Sequence, residues 1–193
     1  MKMCASESSA HANEDLIKLK EHVFNGRDVA VVGGKPEHRS DLVSRLFSEN
    51  DVQDRFFCVR VSIGDTHNRA ELAAAFRQAF LEQIDAELRA RLRKEPEPWA
   101  QLRNSPYFEL GDIFNFTEKL GRPVLLAIEE IQAVTGYGDG GSSEELLRTL
   151  VQNTRCLTAV FTGDGIREMG EMFRSARRPF YMQATFLVLS SAT

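Results

Sequence analysis

Five short segments rich in apolar and β-branched residues alternate along the chain with segments whose apolar residues recur at helical spacing. We predict strands at residues 29–32, 55–63, 123–128, 157–162 and 185–189. Strands that alternate with helices need crossover connections, and such connections join parallel strands. The pattern therefore predicts a three-layer α/β domain with a doubly wound, mostly parallel five-stranded sheet.

The helical segments carry one-sided apolar stripes. The clearest stripe repeats every four residues and predicts a long helix over 69–93. Shorter helices are predicted at 14–24 and 110–120, and two more start at about Ser40 and Ser143.

The remaining segments lack this periodicity. Residues 94–106 are predicted to be a surface excursion because prolines interrupt the helical pattern. Residues 1–13 are small and polar and are predicted to form a disordered tail. Residues 14–193 are then expected to form a single domain.

Composition narrows the class of protein. The chain has 193 residues, a hydrophobic fraction of 42% and a net charge of −4, which suit one globular domain and do not support nucleic-acid binding by overall charge. Nucleic-acid binding by a local basic patch is compatible with this composition. The three cysteines have no zinc-site spacing, and no apolar run is long enough to cross a bilayer. We expect reduced thiols, a cytoplasmic location and no membrane partner.

The most informative segment follows the first predicted strand. Residues 33–40 read G-G-K-P-E-H-R-S, against the phosphate-loop pattern G-x-x-x-x-G-K-[ST]. Gly33 and Ser40 fit this pattern. His38 stands in place of the second glycine, and Arg39 stands in place of the lysine. The segment is therefore a near match that lacks the two central residues.

Several residues of this segment have chemistry that suits phosphate and metal. Ser40 can offer a hydroxyl to Mg²⁺, and Arg39 keeps a positive charge, although a guanidinium is bulkier and more directional than an ammonium. His38 places a side chain where the backbone should approach phosphate. Lys35 could supply an ammonium from another direction. Two interpretations of residues 33–40 are possible: a nucleotide-binding loop that tolerates these replacements, and an ordinary strand-to-helix turn.

Polar residues also follow the third and fourth predicted strands. Glu129 and Glu130 end the third strand, and Thr162 ends the fourth. Ligands of doubly wound sheets bind beyond the carboxyl ends of the strands. Phosphoryl-transfer sites need a carboxylate in the metal shell and a neighbouring group that orients the attacking water. The two glutamates can provide both, and a merely solvated strand end is the alternative.

Three segments resemble the archaeal-type ATPases of the AAA+/STAND group of P-loop NTPases. Residues 124–132, V-L-L-A-I-E-E-I-Q, look like the Walker B strand, and residues 158–163, T-A-V-F-T-G, resemble the sensor-1 strand. Residues 178–184, R-P-F-Y-M-Q-A, resemble the P-L-Y-G-R-A element before the fifth strand. The similarity covers about residues 15–189. It implies an AAA+/ASCE-type sheet in the order 5-1-4-3-2.

The resemblance also implies ATP with Mg²⁺ as the ligand. Glu130 would be the catalytic residue that activates water, Ser40 and Glu129 would bind the metal, and Thr162 would be the sensor. The candidate nucleotide-binding residues are Gly33, Gly34, Lys35, His38, Arg39, Ser40, Asp41 and Thr162.

Three departures from the family pattern point to lost activity. The loop lacks its Gly-Lys pair, and Glu129 replaces the Walker B aspartate. The sequence ends after the fifth strand, without the helical lid and winged-helix region that family members carry. The sequence therefore predicts a degenerate AAA+/STAND-like ATPase core with weak or absent ATP binding and little hydrolysis.

Two alternatives remain open at this point. One is an active ATP-hydrolysing AAA+ domain that uses Ser40, Glu129 and Glu130, and the other is a non-catalytic protein-interaction or regulatory module. A protein partner or a homo-oligomer is expected. The arginines near the fifth strand fit an arginine finger, a local nucleic-acid patch or a solvated helix end; they are Arg174, Arg177 and Arg178.

Overall fold

The structure, a computed structural model, describes residues 4–90, 97–104 and 109–189. The helices are α1 Cys4–Phe24, α2 Pro36–Ser48, α3 Asn50–Arg55, α4 Arg69–Ala90, α5 Glu97–Asn104, α6 Leu110–Thr117, α7 Ser142–Asn153 and α8 Ile166–Arg174. The strands are β1 Val29–Val32, β2 Phe57–Ser62, β3 Val124–Glu129, β4 Leu157–Thr162 and β5 Thr185–Val188. A 3-10 helix covers Ile131–Gly136.

The five strands form one parallel sheet in the order β2-β3-β4-β1-β5. This confirms the doubly wound sheet and the predicted order 5-1-4-3-2 of the P-loop NTPase fold. The central strands β1, β3 and β4 are mostly apolar because both faces of the sheet are covered there. Every residue of Val29–Val32 is buried, and so are the first five residues of β3.

Helices pack on both faces of the sheet. The larger core lies between the sheet and α4 to α8, and its centre contains Phe76, Phe80 and Phe161. The smaller core lies between the sheet and α1 to α3, around Leu19 and Leu46. No helix among the described residues is long and apolar enough to span a membrane. Cys58 is buried, and Cys156 is a half-buried free thiol.

The structure differs from the sequence pattern mainly in helix ends. Helix α1 begins at Cys4, so residues 4–13 are helical and not the disordered tail predicted for residues 1–13. Arg45 of α2 donates to the carbonyl of Ala12 at 3.2 Å and to the side chain of Asn13, and so anchors this part of α1. Residues 1–3 lie outside the described residues.

Three short helices were not apparent in the pattern. These are α3, α5 and α8, which have six, eight and nine residues. Helices α3 and α5 offer only a few buried positions, such as Val52 and Leu102, so their periodicity is weak. Helix α8 does carry a buried stripe of Met169, Met172 and Phe173, and this signal was missed. Part of the predicted excursion 94–106 is therefore helical. Residues 91–96 and 105–108 lie outside the described residues.

A buried carboxylate ties three segments together at the amino end of the sheet. Asp28, just before β1, accepts a hydrogen bond from the backbone N–H of Ala159 at 2.8 Å. Its other oxygen accepts one from the side-chain amide of Gln183 at 2.7 Å. Burial raises the pKa of Asp28, although both hydrogen bonds act in the opposite direction. Ionisation of Asp28 therefore lowers the stability of the folded state.

The free energy of unfolding of Asp28→Asn should increase relative to that of the wild type as the pH rises. Below the unfolded aspartate pKa of about 3.9 the wild-type carboxyl is neutral in both states, and its contribution to stability is complete. That contribution falls as the pH rises through the raised pKa of the folded state. The amide of the variant does not titrate and has no such dependence, and a flip of the Gln183 amide preserves both hydrogen bonds.

The measurement is the free energy of urea unfolding of both proteins between pH 3.5 and pH 7.5. The difference between the two proteins should grow in favour of the variant over this range. The control is Asp54→Asn, which makes the same substitution at an exposed position. A pH-independent difference for Asp28→Asn would contradict the role given to burial.

Candidate functional site

A small cavity lies at the carboxyl ends of β1, β3 and β4. Its volume is about 250 Å³, below the roughly 300–1,000 Å³ of typical small-molecule pockets. Arg39, Ser40, Glu129, Glu130 and Thr162, all predicted as site residues, line it together. The other lining residues are Pro36, Glu37, Ser62 and Gly163.

The turn after β1 is shorter than the phosphate-loop pattern predicts. Helix α2 begins at Pro36 and not near Ser40, because proline at the first helical position has the backbone angle that a helix needs. Gly33 and Gly34 have φ angles of 80° and 63°, which turn the chain within two residues. His38, Arg39 and Ser40 consequently lie within the helix and not in a loop.

Because α2 starts early, backbone N–H groups that would point at a phosphate in a phosphate loop form hydrogen bonds within the protein instead. The amides of His38 and Arg39 donate to the carbonyl of Lys35 at 3.0 and 3.3 Å. Pro36 carries no N–H group. The backbone between β1 and α2 therefore has fewer amides available for an anion than the eight-residue pattern requires.

Arg39 turns back onto the carbonyl groups of the turn. Its guanidinium donates to the carbonyl of Gly33 at 3.1 Å and to that of Gly34 at 2.9 Å. It also forms an ion pair with Asp164, in the turn after β4. The Arg39 side chain is only 7% exposed. The residue at the lysine position of the motif is thus engaged by groups of the protein itself.

Arg60 joins the two predicted metal ligands. It projects from β2 and makes a bidentate pair with Glu129 at the end of β3, at 2.8 and 2.7 Å. The same guanidinium donates to the hydroxyl of Ser40, and to that of Ser44 at 2.7 Å. Bidentate arginine–carboxylate pairs are strong and directional. A guanidinium therefore bridges the hydroxyl and the carboxylate that were predicted to share Mg²⁺.

Glu130 adopts a left-handed backbone conformation, with a φ of 58°. It is exposed and immediately precedes the 3-10 helix. Its side chain lies against Gly64 at the end of β2, and a Cβ atom at Gly64 would overlap the Glu130 carboxylate. Non-glycine residues reach this conformation at a cost of about 1–2 kcal/mol. The predicted water-activating residue is thus held in a strained position beside the cavity.

Thr162 and Gln132 lie close to Gly163. Thr162 is 4% exposed and is the last residue of β4. The Oε1 atom of Gln132 is buried without a hydrogen-bond partner among the described residues. A Cβ atom added to Gly163 would lie 2.5 Å from that oxygen. Gln132 was not among the predicted site residues, although it belongs to the Walker B-like segment.

The other predicted residues face solvent or form the turn. Lys35, His38 and Asp41 are exposed, while Gly33 and Gly34 make the bend described above. No cluster of three or more His, Cys, Asp or Glu side chains able to hold a metal ion occurs in the described part of the chain.

Two central residues of the site were missed by the sequence analysis. Arg60 interrupts the otherwise mostly apolar strand F-C-V-R-V-S, and this single charged position was the available signal. Asp164 lies between two glycines, a pattern that is typical of a turn and gives no signal of its own for an ion pair. Both become part of the site only through their ion pairs.

No protein-family model matches this sequence, and no curated protein matches it. Its similarity to known proteins is visible in solved structures. The Walker-type ATPase PABY2304 of Pyrococcus abyssi matches with a TM-score of 0.61 and 17% identity, covering 91% of this chain and 52% of that chain.

Origin-recognition proteins have the same fold. The Aeropyrum pernix ORC1 protein, solved in complex with DNA, matches with a TM-score of 0.59 and 12% identity, covering 93% of this chain and 45% of that chain. A chain of the Drosophila ORC bound to DNA matches with a TM-score of 0.62 and 12% identity, covering 97% of this chain and 31% of that chain. These likenesses show the fold, which is the P-loop NTPase α/β fold. The chain spans about half the length of the archaeal proteins or less.

Arg60 and Glu129 should be energetically coupled. We expect a double-mutant cycle of Arg60→Met and Glu129→Gln to give a coupling free energy of about 1–2 kcal/mol, because the pair is bidentate and largely shielded from solvent. The measurement is the free energy of unfolding of the four proteins. A cycle of Lys18→Met and Glu14→Gln, an exposed pair on α1, should give a much smaller coupling. Equal couplings would contradict a specific role for the Arg60 pair.

Glu130→Gly should stabilise the protein by about 0.5–1 kcal/mol, because glycine adopts the left-handed conformation without strain. Met182→Gly is the matched comparison, since Met182 has the same φ of 58°. Glu130→Ala keeps the strain and should not stabilise. The measurement is the free energy of unfolding in urea. A loss of stability in Glu130→Gly would mean that the glutamate side chain contributes more than the strain costs.

Proposed function

We propose that this chain is an AAA+ core that has lost ATP hydrolysis and binds ATP weakly or not at all. The observation that carries the proposal is the Arg60 guanidinium between the Ser40 hydroxyl and the Glu129 carboxylate. In an active site of this fold those two groups would have to be free for Mg²⁺. Here a side chain of the protein supplies the positive charge instead.

The arrangement does not fit Mg²⁺. This ion requires near-octahedral oxygen coordination at about 2.0–2.1 Å, and a guanidinium offers only N–H donors. Binding the metal between Ser40 and Glu129 would require Arg60 to leave. Its departure would break a bidentate pair whose carboxylate is only 16% exposed. Metal binding therefore competes directly with an internal ion pair.

The arrangement does not fit the phosphates of ATP either. Two amides near the start of α2 already donate to Lys35, and Arg39 is held by two carbonyls and by Asp164. Carbonyl oxygens that face a cation would repel a phosphate brought to the same place. The cavity volume of about 250 Å³ also favours a small occupant. These contacts support a core that uses the fold without nucleotide chemistry.

The proposal is tested by titration of ATP with Mg²⁺ into the full chain, followed by calorimetry and thermal unfolding. At 1 mM nucleotide we expect no binding heat and stabilisation below about 0.4 kcal/mol, which corresponds to a Kd above 1 mM. Phosphate release should be the same for the wild type and Glu130→Gln, because no hydrolysis is expected to depend on this residue.

Arg60→Ala tests the reason for weak binding. Mg²⁺ alone should stabilise this variant more than the wild type, because Ser40 and Glu129 would become free to bind it. The double variant Arg60→Ala with Glu129→Ala is the matched control and should lose that gain. Clear stabilisation of the wild type by ATP with Mg²⁺, together with turnover that Glu130→Gln abolishes, would favour the active ATPase instead.

A further inference from the structure

A second and larger cavity lies at the opposite, amino end of the sheet. This amino-end cleft has a volume of about 780 Å³ and is bounded by the residues before β1, the end of α8 and the turn that leads into β5. It shares no lining residue with the carboxyl-end cavity. The lining side chains that define it here are Arg27, Asp28, Arg174, Tyr181, Met182 and Phe186.

The amino-end cleft carries unneutralised positive charge. Neither Arg27 nor Arg174 has an acidic partner in the part of the chain that the structure describes, and both are exposed. The guanidinium of Arg174 stacks on the ring of Phe186, 4.0 Å from its centroid, which fixes its position. Asp28 faces Gln183 and the Ala159 amide and does not neutralise these arginines. The chain as a whole has a net charge of −4, so this is a local surface of opposite sign.

The rim of the amino-end cleft is apolar and strained. Met182 is 77% exposed and has a φ of 58°, an unfavourable conformation for a long side chain. Tyr181 beside it is 42% exposed. Strain that exposes an apolar side chain is typical of contact surfaces, and the combination with fixed arginines favours a ligand with both acidic and apolar groups.

The cleft continues into a strand edge. β5 lies at the end of the sheet and pairs with β1 on one side. The amide of Thr185 donates to the carbonyl of Asp28, just before β1, and the amide of Leu189 donates to that of Val32. Alternate residues of a strand face opposite neighbours, so the backbone N–H and C=O groups of Phe186 and Val188 point away from β1. Val188 is 54% exposed, and Ile166 of α8 lies next to it and is 57% exposed. A peptide strand added here would find backbone partners and apolar side chains.

We propose that the amino-end cleft and the outer edge of β5 form one docking surface for an extended acidic segment of a partner protein. The backbone of the segment pairs with Phe186 and Val188, and its carboxylates meet Arg27 and Arg174. Addition of a strand to a sheet edge is an established mode of peptide recognition. The edge favours a peptide over a nucleic acid, because the backbone N–H and C=O groups of a peptide match those of β5.

The test uses the full chain and a fluorescein-labelled twelve-residue peptide in which Glu alternates with Val. Anisotropy should show saturable binding that weakens with salt. A peptide with Lys in place of Glu should not bind, and proline at alternate positions should abolish binding because it removes the backbone donors. Binding of the proline peptide at equal affinity, or no saturable binding of the Glu-Val peptide, would overturn the proposal.

The matched variants are Arg174→Glu and Arg167→Glu, which make the same charge change at opposite ends of α8. Arg174→Glu should weaken peptide binding at least about tenfold, and Arg167→Glu less than about twofold. Met182→Gly keeps the backbone conformation and should also weaken binding. Thermal unfolding checks that each variant is folded. Equal effects of the two arginine substitutions would overturn the proposal.

Two further measurements distinguish the acidic peptide from other possible occupants of the surface. Labelled oligothymidylate should bind less tightly than the Glu-Val peptide, and preference for the oligonucleotide would assign the surface to nucleic acid and overturn the proposal. Sedimentation should show a monomer at the concentrations used. A dimer that Arg174→Glu dissociates would mean that a second copy of the chain occupies the surface, and would also overturn it.

Discussion

Coverage of the sheet on both faces is the constraint from which the rest of the structure follows. Strands β1 and β3 have no charged side chain along their buried length, so a charge on either of these strands is confined to its end. Glu129 stands at such a point, half-buried at the last position of β3. A carboxylate there needs a cation, and β2 provides one in Arg60, two residues before the position that pairs with Glu129.

Two arginines at the carboxyl end of the sheet are already paired with carboxylates of the protein for this reason. Arg60 neutralises Glu129, and Arg39 neutralises Asp164 while it also satisfies two carbonyls of the turn. In a nucleotide site of this fold, metal and phosphate charges would complete the balance. Removal of one partner from a shielded pair leaves the other charge unpaired, which is costly. Under the proposed function, the internal pairs stabilise the fold and oppose ligand entry through the same contacts.

The strands and their order could be predicted because parallel strands buried on both faces leave a clear apolar signal, and the Walker B-like segment supplied the order. The meeting of Arg39, Ser40, Glu129, Glu130 and Thr162 follows from the same topology, since all lie at carboxyl ends. The start of α2 could not be predicted from the motif, because alignment to eight positions assumes a full loop. Proline at the fourth position ended that loop early. The role of Arg60 depends on pairing between strands distant in sequence, which periodicity does not reveal.

The two ends of the sheet differ in how their charges are satisfied. At the carboxyl end, Arg39 and Arg60 are shielded and bound to carboxylates, so an incoming ligand must replace interactions that already exist. At the amino end, Arg27 and Arg174 are exposed and have no acidic partner among the described residues, and Arg174 is already ordered by its stacking on Phe186. An acidic ligand there gains ion pairs, and its binding costs little conformational entropy at Arg174, because that side chain is already ordered. The free energy available for binding an acidic ligand is thus greater at the amino end of the sheet than at the carboxyl end.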